Sequence, residues 1–261
     1  MVAPEQIVAV INRKGGSGKT TTTFQLAGML LDAGLRVLIA DLDPQASLTR
    51  LLLDEPVQLG DGIGACLAPE GPPPLSRIRR TAIGADLLPG DRTIEQASIA
   101  LLNYGPRLKR LRRVLTTIEG YDVVLIDTPP TLDFATGSAI LAARWAVLPT
   151  STAQVDLDAL VDTIATIEDY EANEERCASR LAIVPNGIKH NSIDREAVVL
   201  LREAYGDLVI GPVPHSVAIQ KSLNLRLPVC RSDPRNPAVP VYRELAELVR
   251  QATLAREALH A

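Results

Sequence analysis

Residues 14–21 read Lys-Gly-Gly-Ser-Gly-Lys-Thr-Thr and sit between two segments of opposite character. Before them, residues 7–12 form an apolar run rich in Val and Ile, the composition of a strand. After them, residues 20–32 carry the spacing of an amphipathic helix. A strand, a glycine-rich turn and a helix in that order turn backbone N–H groups inward and set a helix N-terminus behind them. The result is a cradle for an anion. Lys19 then supplies a charge for the β- and γ-phosphates of a nucleotide, and the Thr20 hydroxyl a ligand for Mg²⁺. Gly15, Gly16, Ser17, Gly18, Lys19, Thr20 and Thr21 are therefore the expected nucleotide-binding residues. The loop departs from the GxxxxGK[ST] pattern, because Arg13 occupies the first glycine position and a second lysine, Lys14, follows it. A lysine at the loop entrance points away from its own phosphates more easily than toward them, so it can reach a nucleotide held by a facing subunit.

The strand–helix alternation continues along the chain. Apolar runs at 36–41, 122–127, 146–150 and 181–186, with a shorter one near 208–211, read as strands. Residues 93–103, 106–118, 156–172 and 193–204 read as amphipathic helices. Strands that are continuously apolar, separated by helices, predict an α/β fold: a mostly parallel twisted sheet with helices on both faces. Residues 1–261 are expected to form a single domain. The Pro/Gly-rich stretches 69–74 and 231–240 read as surface loops. Residues 241–259 read as a terminal helix of balanced charge, unlike the basic amphipathic helices that lie on membranes.

Composition narrows the class. With 46% hydrophobic residues in 261, the chain can bury a full core, and its net charge of −4 excludes wholesale coating of nucleic acid. Cys66, Cys177 and Cys230 are too far apart for a metal-ligand pair and fit a reducing compartment. No apolar run approaches ~18 residues, so a cytoplasmic protein without a membrane partner is expected. The charge is uneven, with a local balance of +6 over residues 76–113 and −6 over 150–185. Solvated helix faces explain such runs, and so does orientation on a polyanion.

Carboxylates complete the candidate site. Asp41-Leu42-Asp43-Pro44-Gln45 follows the second strand. Two acids two residues apart at a strand's C-terminal end are expected to point the same way, into the ligand crevice. There they hold Mg²⁺-bound waters or orient an attacking one; capping the turn before Pro44 is the competing role. Residues 121–127 end an apolar run with Asp127, which is placed to hold a Mg²⁺-bound water.

In this setting Lys-Gly-Gly-x-Gly-Lys-Thr-Thr resembles the deviant Walker A box of the ParA/MinD superfamily of P-loop ATPases, with Asn12 ahead of it. The resemblance implies that Lys14 crosses a dimer interface to the partner's phosphates. Asp-Leu-Asp-Pro-Gln resembles the family's switch I, which implies that Asp43 positions the hydrolytic water and Asp41 supports the Mg²⁺ shell. Asp127-Thr128-Pro129-Pro130 resembles the start of switch II, leading into a helix near Asp133. Val184-Pro185-Asn186 and Val213-Pro214-His215 resemble the segments that meet adenine, through Asn186 and the Pro214 backbone, with His215 structural. The Pro-Gln of switch I, the cysteine positions and the charge-balanced terminal helix favour the ParA-type partition ATPases over MinD-type and nitrogenase-reductase-like relatives. With only about six residues ahead of the first strand, no N-terminal helix-turn-helix domain is expected. The resemblance further implies ATP and Mg²⁺ as cofactors, and catalysis by Lys14, Lys19 and Asp43 with Thr20, Asp41 and Asp127 at the metal. An ATP-induced homodimer would bind double-stranded DNA nonspecifically over the nucleoid, and a ParB-like adaptor would release it by stimulating hydrolysis. Lys189, Arg195, Lys221, Arg226, Arg231 and Arg235 are the expected DNA contacts; the basic helix at 107–113 is a second candidate, or an adaptor dock. The same machinery positioning a protein cargo such as a carboxysome or chemosensory cluster, or a nucleotide-switched regulatory binding module, stays open.

Overall fold

Seven strands give one twisted sheet: β1 (Ile7–Val10), β2 (Val37–Asp41), β3 (Arg79–Arg80), β4 (Asp86–Leu88), β5 (Val123–Asp127), β6 (Trp145–Thr150) and β7 (Ser179–Pro185). The computed structural model describes residues 1–103, 106–131, 133–174 and 176–254. The strand order is β3-β4-β2-β5-β1-β6-β7, parallel throughout except for the antiparallel edge strand β3. The central strands are buried on both faces, and their alternate residues feed two cores. Ile7, Ala9, Leu38, Ala40, Val124 and Ile126 face one. Val8, Val10, Val37, Ile39, Val123 and Leu125 face the other.

The second core is covered by α1 (Lys19–Asp32), α2 (Ser47–Leu52) and, from the far end of the chain, α10 (Val229–Ser232) and α11 (Ala238–Leu254). Against the first core pack α3 (Ile63–Leu67), α4 (Thr93–Ala100), α5 (Arg110–Leu115), α6 (Phe134–Ala142), α7 (Gln154–Asn173) and α8 (Ser192–Tyr205). Helix α9 (Val217–Asn224) leads into α10. β1 and β5 lie at the centre of the sheet. Their C-terminal ends, where Val10 pairs in register with Asp127, open onto the crevice that α/β sheets use for ligands.

Several expectations change. The apolar run at 208–211 makes no strand; it contributes one isolated bridge, Val209 to Ile183, and a second, Pro214 to Ile188, lies beyond it. Strands β3 and β4 are two and three residues long, with the positive-φ Gly84 between them, too short for a periodic signal. The 231–240 stretch is a loop only over 233–237, since Arg231 and Ser232 end α10 and α11 begins at Ala238. Pro240 sits in the first turn of α11, where its missing N–H costs nothing. The expected helix 241–259 thus starts earlier, and its residues 255–259 lie outside the described residues. The expected helix 106–118 becomes a 3-10 turn (Arg107–Lys109) followed by α5. Among the described residues, no helix is long and apolar enough to cross a membrane. All three cysteines are free.

Candidate active site

The loop between β1 and α1 turns on two glycines with positive φ, Gly16 at 83° and Gly18 at 93°. Gly18 has a second reason to lack a side chain, because a Cβ there would lie 2.7 Å from Asn186 Nδ2. The loop is tied down from both sides. Asn12 donates to Pro149 O at 2.8 Å and accepts from the Lys14 N–H at 2.8 Å. Asn186 donates to Ser17 O and to Thr22 Oγ1, both at 3.2 Å. Arg13, at the place of the usual glycine, pairs with Asp162 of α7 at 2.9 Å.

Lys19 opens α1 and is buried, its ammonium donating to Lys14 O at 3.0 Å. Burial lowers its pKa, against which Asp127 and Asp43 raise it. A buried ammonium set between carboxylates, at a helix N-terminus, is a site built for anionic oxygen. Thr20 donates to Asp127 Oδ2 at 2.8 Å and Thr23 donates to Asp127 Oδ1 at 3.2 Å. Asp127 is wholly buried and stands in register with Asp41 on the neighbouring strand. Burial, followed by the nearness of Asp41, pushes the Asp127 carboxyl well above the usual range, and burial pushes Asp41 up as well. A divalent cation would relieve this by favouring the ionised form.

A cleft of about 300 Å³ is lined by Gly15, Gly16, Gly18, Lys19, Thr20, Thr21, Asp43, Ser47, Thr128 and Pro130. Beside it, sharing Gly18 and Thr21, is a more apolar cleft of about 410 Å³, walled by Asn186, Pro214, Val217, Ile219 and Tyr242 among others. A charged pocket continuous with an apolar one matches a nucleotide's phosphates and base. The described residues therefore fit a Mg·nucleotide: loop amides and Lys19 for the phosphates, Thr20 with Asp127 behind it for the metal.

Structure and expectation part at several positions. Asp41 and Asp43 do not point the same way. β2 ends at Asp41, so the alternation stops there. Asp43 lines the phosphate cleft, while Asp41 turns inward to Thr49 and to the Asp43 N–H. The Ser17 side chain is buried with an unpartnered hydroxyl; its carbonyl, not its Oγ, meets Asn186. Lys14 is half-buried, and its ammonium makes no ion pair among the described residues. Thr49, Thr23 and Tyr242 were not foreseen. The run of four threonines from Thr20 hinted at Thr23; nothing local marks the other two.

The basic candidates divide. Arg226 pairs with Asp54, and Arg231 pairs with Asp32 at 2.8 Å and donates to Ile83 O at 2.6 Å. Arg195 donates to Asn191 O at 3.2 Å, and Lys189, Lys221 and Arg235 are exposed. In the 107–113 segment much of the charge is structural. Arg110 donates to Leu67 O and Ala68 O at the end of α3, Arg112 to Leu141 O at the end of α6, and Lys109 pairs with Glu174 at 2.7 Å.

A positive-φ glycine loop with two lysines, a buried Thr–Asp pair and an acid-lined cleft define a P-loop ATPase. A family profile described as an AAA domain matches residues 5–180. The chromosome-partitioning ATPase Soj of Thermus thermophilus is 32% identical over 244 residues, covering 93% of this chain and 94% of Soj. The chromosome partitioning protein ParA of Caulobacter vibrioides is 29% identical over 251 residues, 94% of each. Among solved structures, cobyrinic acid a,c-diamide synthase of Mycobacterium smegmatis with a bound ATP analog and magnesium superposes with a TM-score of 0.79. The two are 28% identical over 94% of this chain and 95% of that one. The chain belongs to this AAA-domain family, as a ParA/Soj-type ATPase.

Proposed function

We propose that residues 1–261 form one ATPase unit that partitions DNA through a nucleotide-gated homodimer. In this reading ATP closes two subunits face to face, and the closed pair binds duplex DNA without sequence preference in the nucleoid-bearing cytoplasm. A ParB-like adaptor then speeds hydrolysis and frees the subunits. The observation that carries it is Lys14, a half-buried cation at the entrance of the phosphate loop, with its backbone N–H fixed by Asn12 and no ion pair for its ammonium among the described residues.

Hydrolysis moves the γ-phosphoryl group to water. Asp43, lining the cleft, orients that water. Lys19 and the loop amides stabilise the charge that spreads over the transferring oxygens, and the facing subunit's Lys14 adds to them. Thr20 and Asp127 would hold Mg²⁺, directly or through water, and the bound ion would supply neutralisation of the phosphate charge. Slow turnover in isolation follows, because the site is complete only in the closed pair.

For DNA, the exposed Lys189, Arg195, Lys221 and Arg235, which make no ion pair among the described residues, are better candidates than Arg226 and Arg231, which pair with Asp54 and Asp32. Filter binding to random-sequence duplex at rising salt tests the reading. Binding that requires ATP and falls steeply with salt is expected. Binding that is absent, or the same without nucleotide, would refute it. Phosphate release with and without the adaptor then distinguishes a hydrolytic clock from a binding module.

A further inference from the structure

The carboxylate of Asp41 is held away from the phosphate cleft by Thr49. The Thr49 backbone N–H and hydroxyl both donate to Asp41 Oδ2, at 2.8 and 2.7 Å. The Thr49 hydroxyl in turn accepts from the Gly90 N–H at 2.8 Å. Asp41 Oδ1 is left for the Asp43 N–H, 3.1 Å away. Thr49 and Asp41 are both buried, so these bonds do not exchange freely with water. Packing closes the arrangement from the other side. A Cβ on Gly90 would lie 2.9 Å from Asp41 Cγ and from the carbonyl oxygens of Asp41 and Asp43.

The turn that carries Asp43 is anchored to β5 at Leu42, whose N–H donates to Asp127 O at 2.9 Å; beyond Leu42 its own ties are short-range. The Gln45 N–H donates to Asp43 Oδ1 and the Ala46 N–H to Asp43 O, each at 2.8 Å. Ala46 itself has a φ of 52°, an unfavourable conformation for a residue with a Cβ. Left to local preferences, such a turn would relax. The buried side-chain tie across this turn, from the end of β2 to α2, runs through Asp41 to Thr49.

We propose that Thr49 is a positioning residue for ATP hydrolysis, fixing through Asp41 the backbone from which Asp43 reaches the cleft. The proposal rests on the assignment of Asp43 as the residue that orients water. The hydroxyl is the necessary group, because it donates to Asp41 and accepts from Gly90 at once; a valine of the same shape does neither.

The test uses the whole chain with Thr49→Val, Thr49→Ser, Gly90→Ala and Asp43→Ala. Phosphate release at saturating Mg·ATP, the Kd of a fluorescent ATP analog and the thermal midpoint are measured for each. Thr49→Val is expected to lower kcat roughly 10- to 100-fold, the scale set by displacing a catalytic group by about 1 Å. Its Kd should stay within about threefold of wild type, and Thr49→Ser should recover most of the turnover. Wild-type kcat in Thr49→Val overturns the proposal; so does equal loss in the valine and serine variants, or a Kd that worsens in step with kcat. Should the valine variant not fold, Gly90→Ala decides, since it presses on the same carboxylate: lost kcat with Kd kept supports the proposal and unchanged kcat overturns it. Asp43→Ala separates the two claims. Full turnover without that carboxylate removes its assigned role and this proposal with it; lost turnover there beside normal turnover in Thr49→Val removes only the proposal.

Discussion

Gln25 joins the phosphate helix to the wall of the base cleft, and replacing it tests how far the two are one unit. It is completely buried in α1. Its amide donates to Ser222 Oγ at 2.7 Å, and its carbonyl oxygen accepts from the Val229 N–H at 2.7 Å. One turn along, the α1 backbone touches the same segment: a Cβ on Gly28 would fall 2.4 Å from Pro228 Cβ. Gln25→Leu keeps the volume and removes both bonds. The Val229 N–H is then buried without a partner, at about 1–3 kcal/mol. Ser222 keeps its own bond to Ile219 O at 2.7 Å but loses the amide, about 1 kcal/mol more. Better burial of leucine offsets part of this, leaving a loss of about 2–3 kcal/mol. At ~2–4 °C per kcal/mol for a chain of this size, Tm should fall by about 4–12 °C, measured by circular dichroism without nucleotide. Because α9 lines the base cleft, the Kd for ATP should rise while kcat at saturation changes less. A Tm within about 1 °C of wild type would show that segment 217–232 is not held through Gln25, and the reasoning would fail.

The Asn186 amide nitrogen is spent on Ser17 O in the phosphate loop and Thr22 Oγ1 in α1, so its oxygen is what remains for the base cleft. An acceptor there suits the exocyclic amine of adenine and opposes the O6 of guanine, so Asn186→Ala should weaken ATP binding about tenfold and narrow its advantage over GTP in competition titrations. Asp41 and Asp127 have raised pKa values, so the folded chain binds protons that the unfolded chain has released. The contribution of these two groups to the stability of the metal-free protein should therefore be fully present at low pH and be lost as pH rises through the raised values; urea midpoints between about pH 5 and pH 8 read the slope. Asp127→Asn should flatten that slope, and an unchanged one would refute the cause given. Arg110→Ala should lower Tm by a few degrees, through ~1–2 kcal/mol of lost bonds to the end of α3, and leave DNA affinity as it was. Lys221→Ala and Arg235→Ala should each reduce the salt slope of DNA binding by about one, and Arg226→Ala by much less.

Which parts of this site were legible in the sequence follows from how far apart their causes lie. The phosphate loop is local: strand, glycines, lysine and helix are contiguous, and the positive φ of Gly16 and Gly18 is a property of the backbone there. Asp127 is nearly as local, because a buried strand that ends in an acid must aim it out of the sheet's C-terminal edge. Asp41 and Asp43 fail the same test for a definite reason. The period-two rule holds only within a strand, β2 stops at Asp41, and a hydroxyl eight residues on in α2 captures the first carboxylate. Tyr242 meets Thr22 across most of the chain's length, and no spacing announces that. The basic segment shows the limit in another form. Arg110 and Arg112 looked like solvated or DNA-facing charge, yet the carbonyls at the ends of α3 and α6 take them. Every helix leaves such carbonyls unpaired, and which cation serves them depends on where two separate helices stop relative to each other. A charge count therefore bounds what a surface can attract, whereas the helix ends decide how much of that charge is left to attract it.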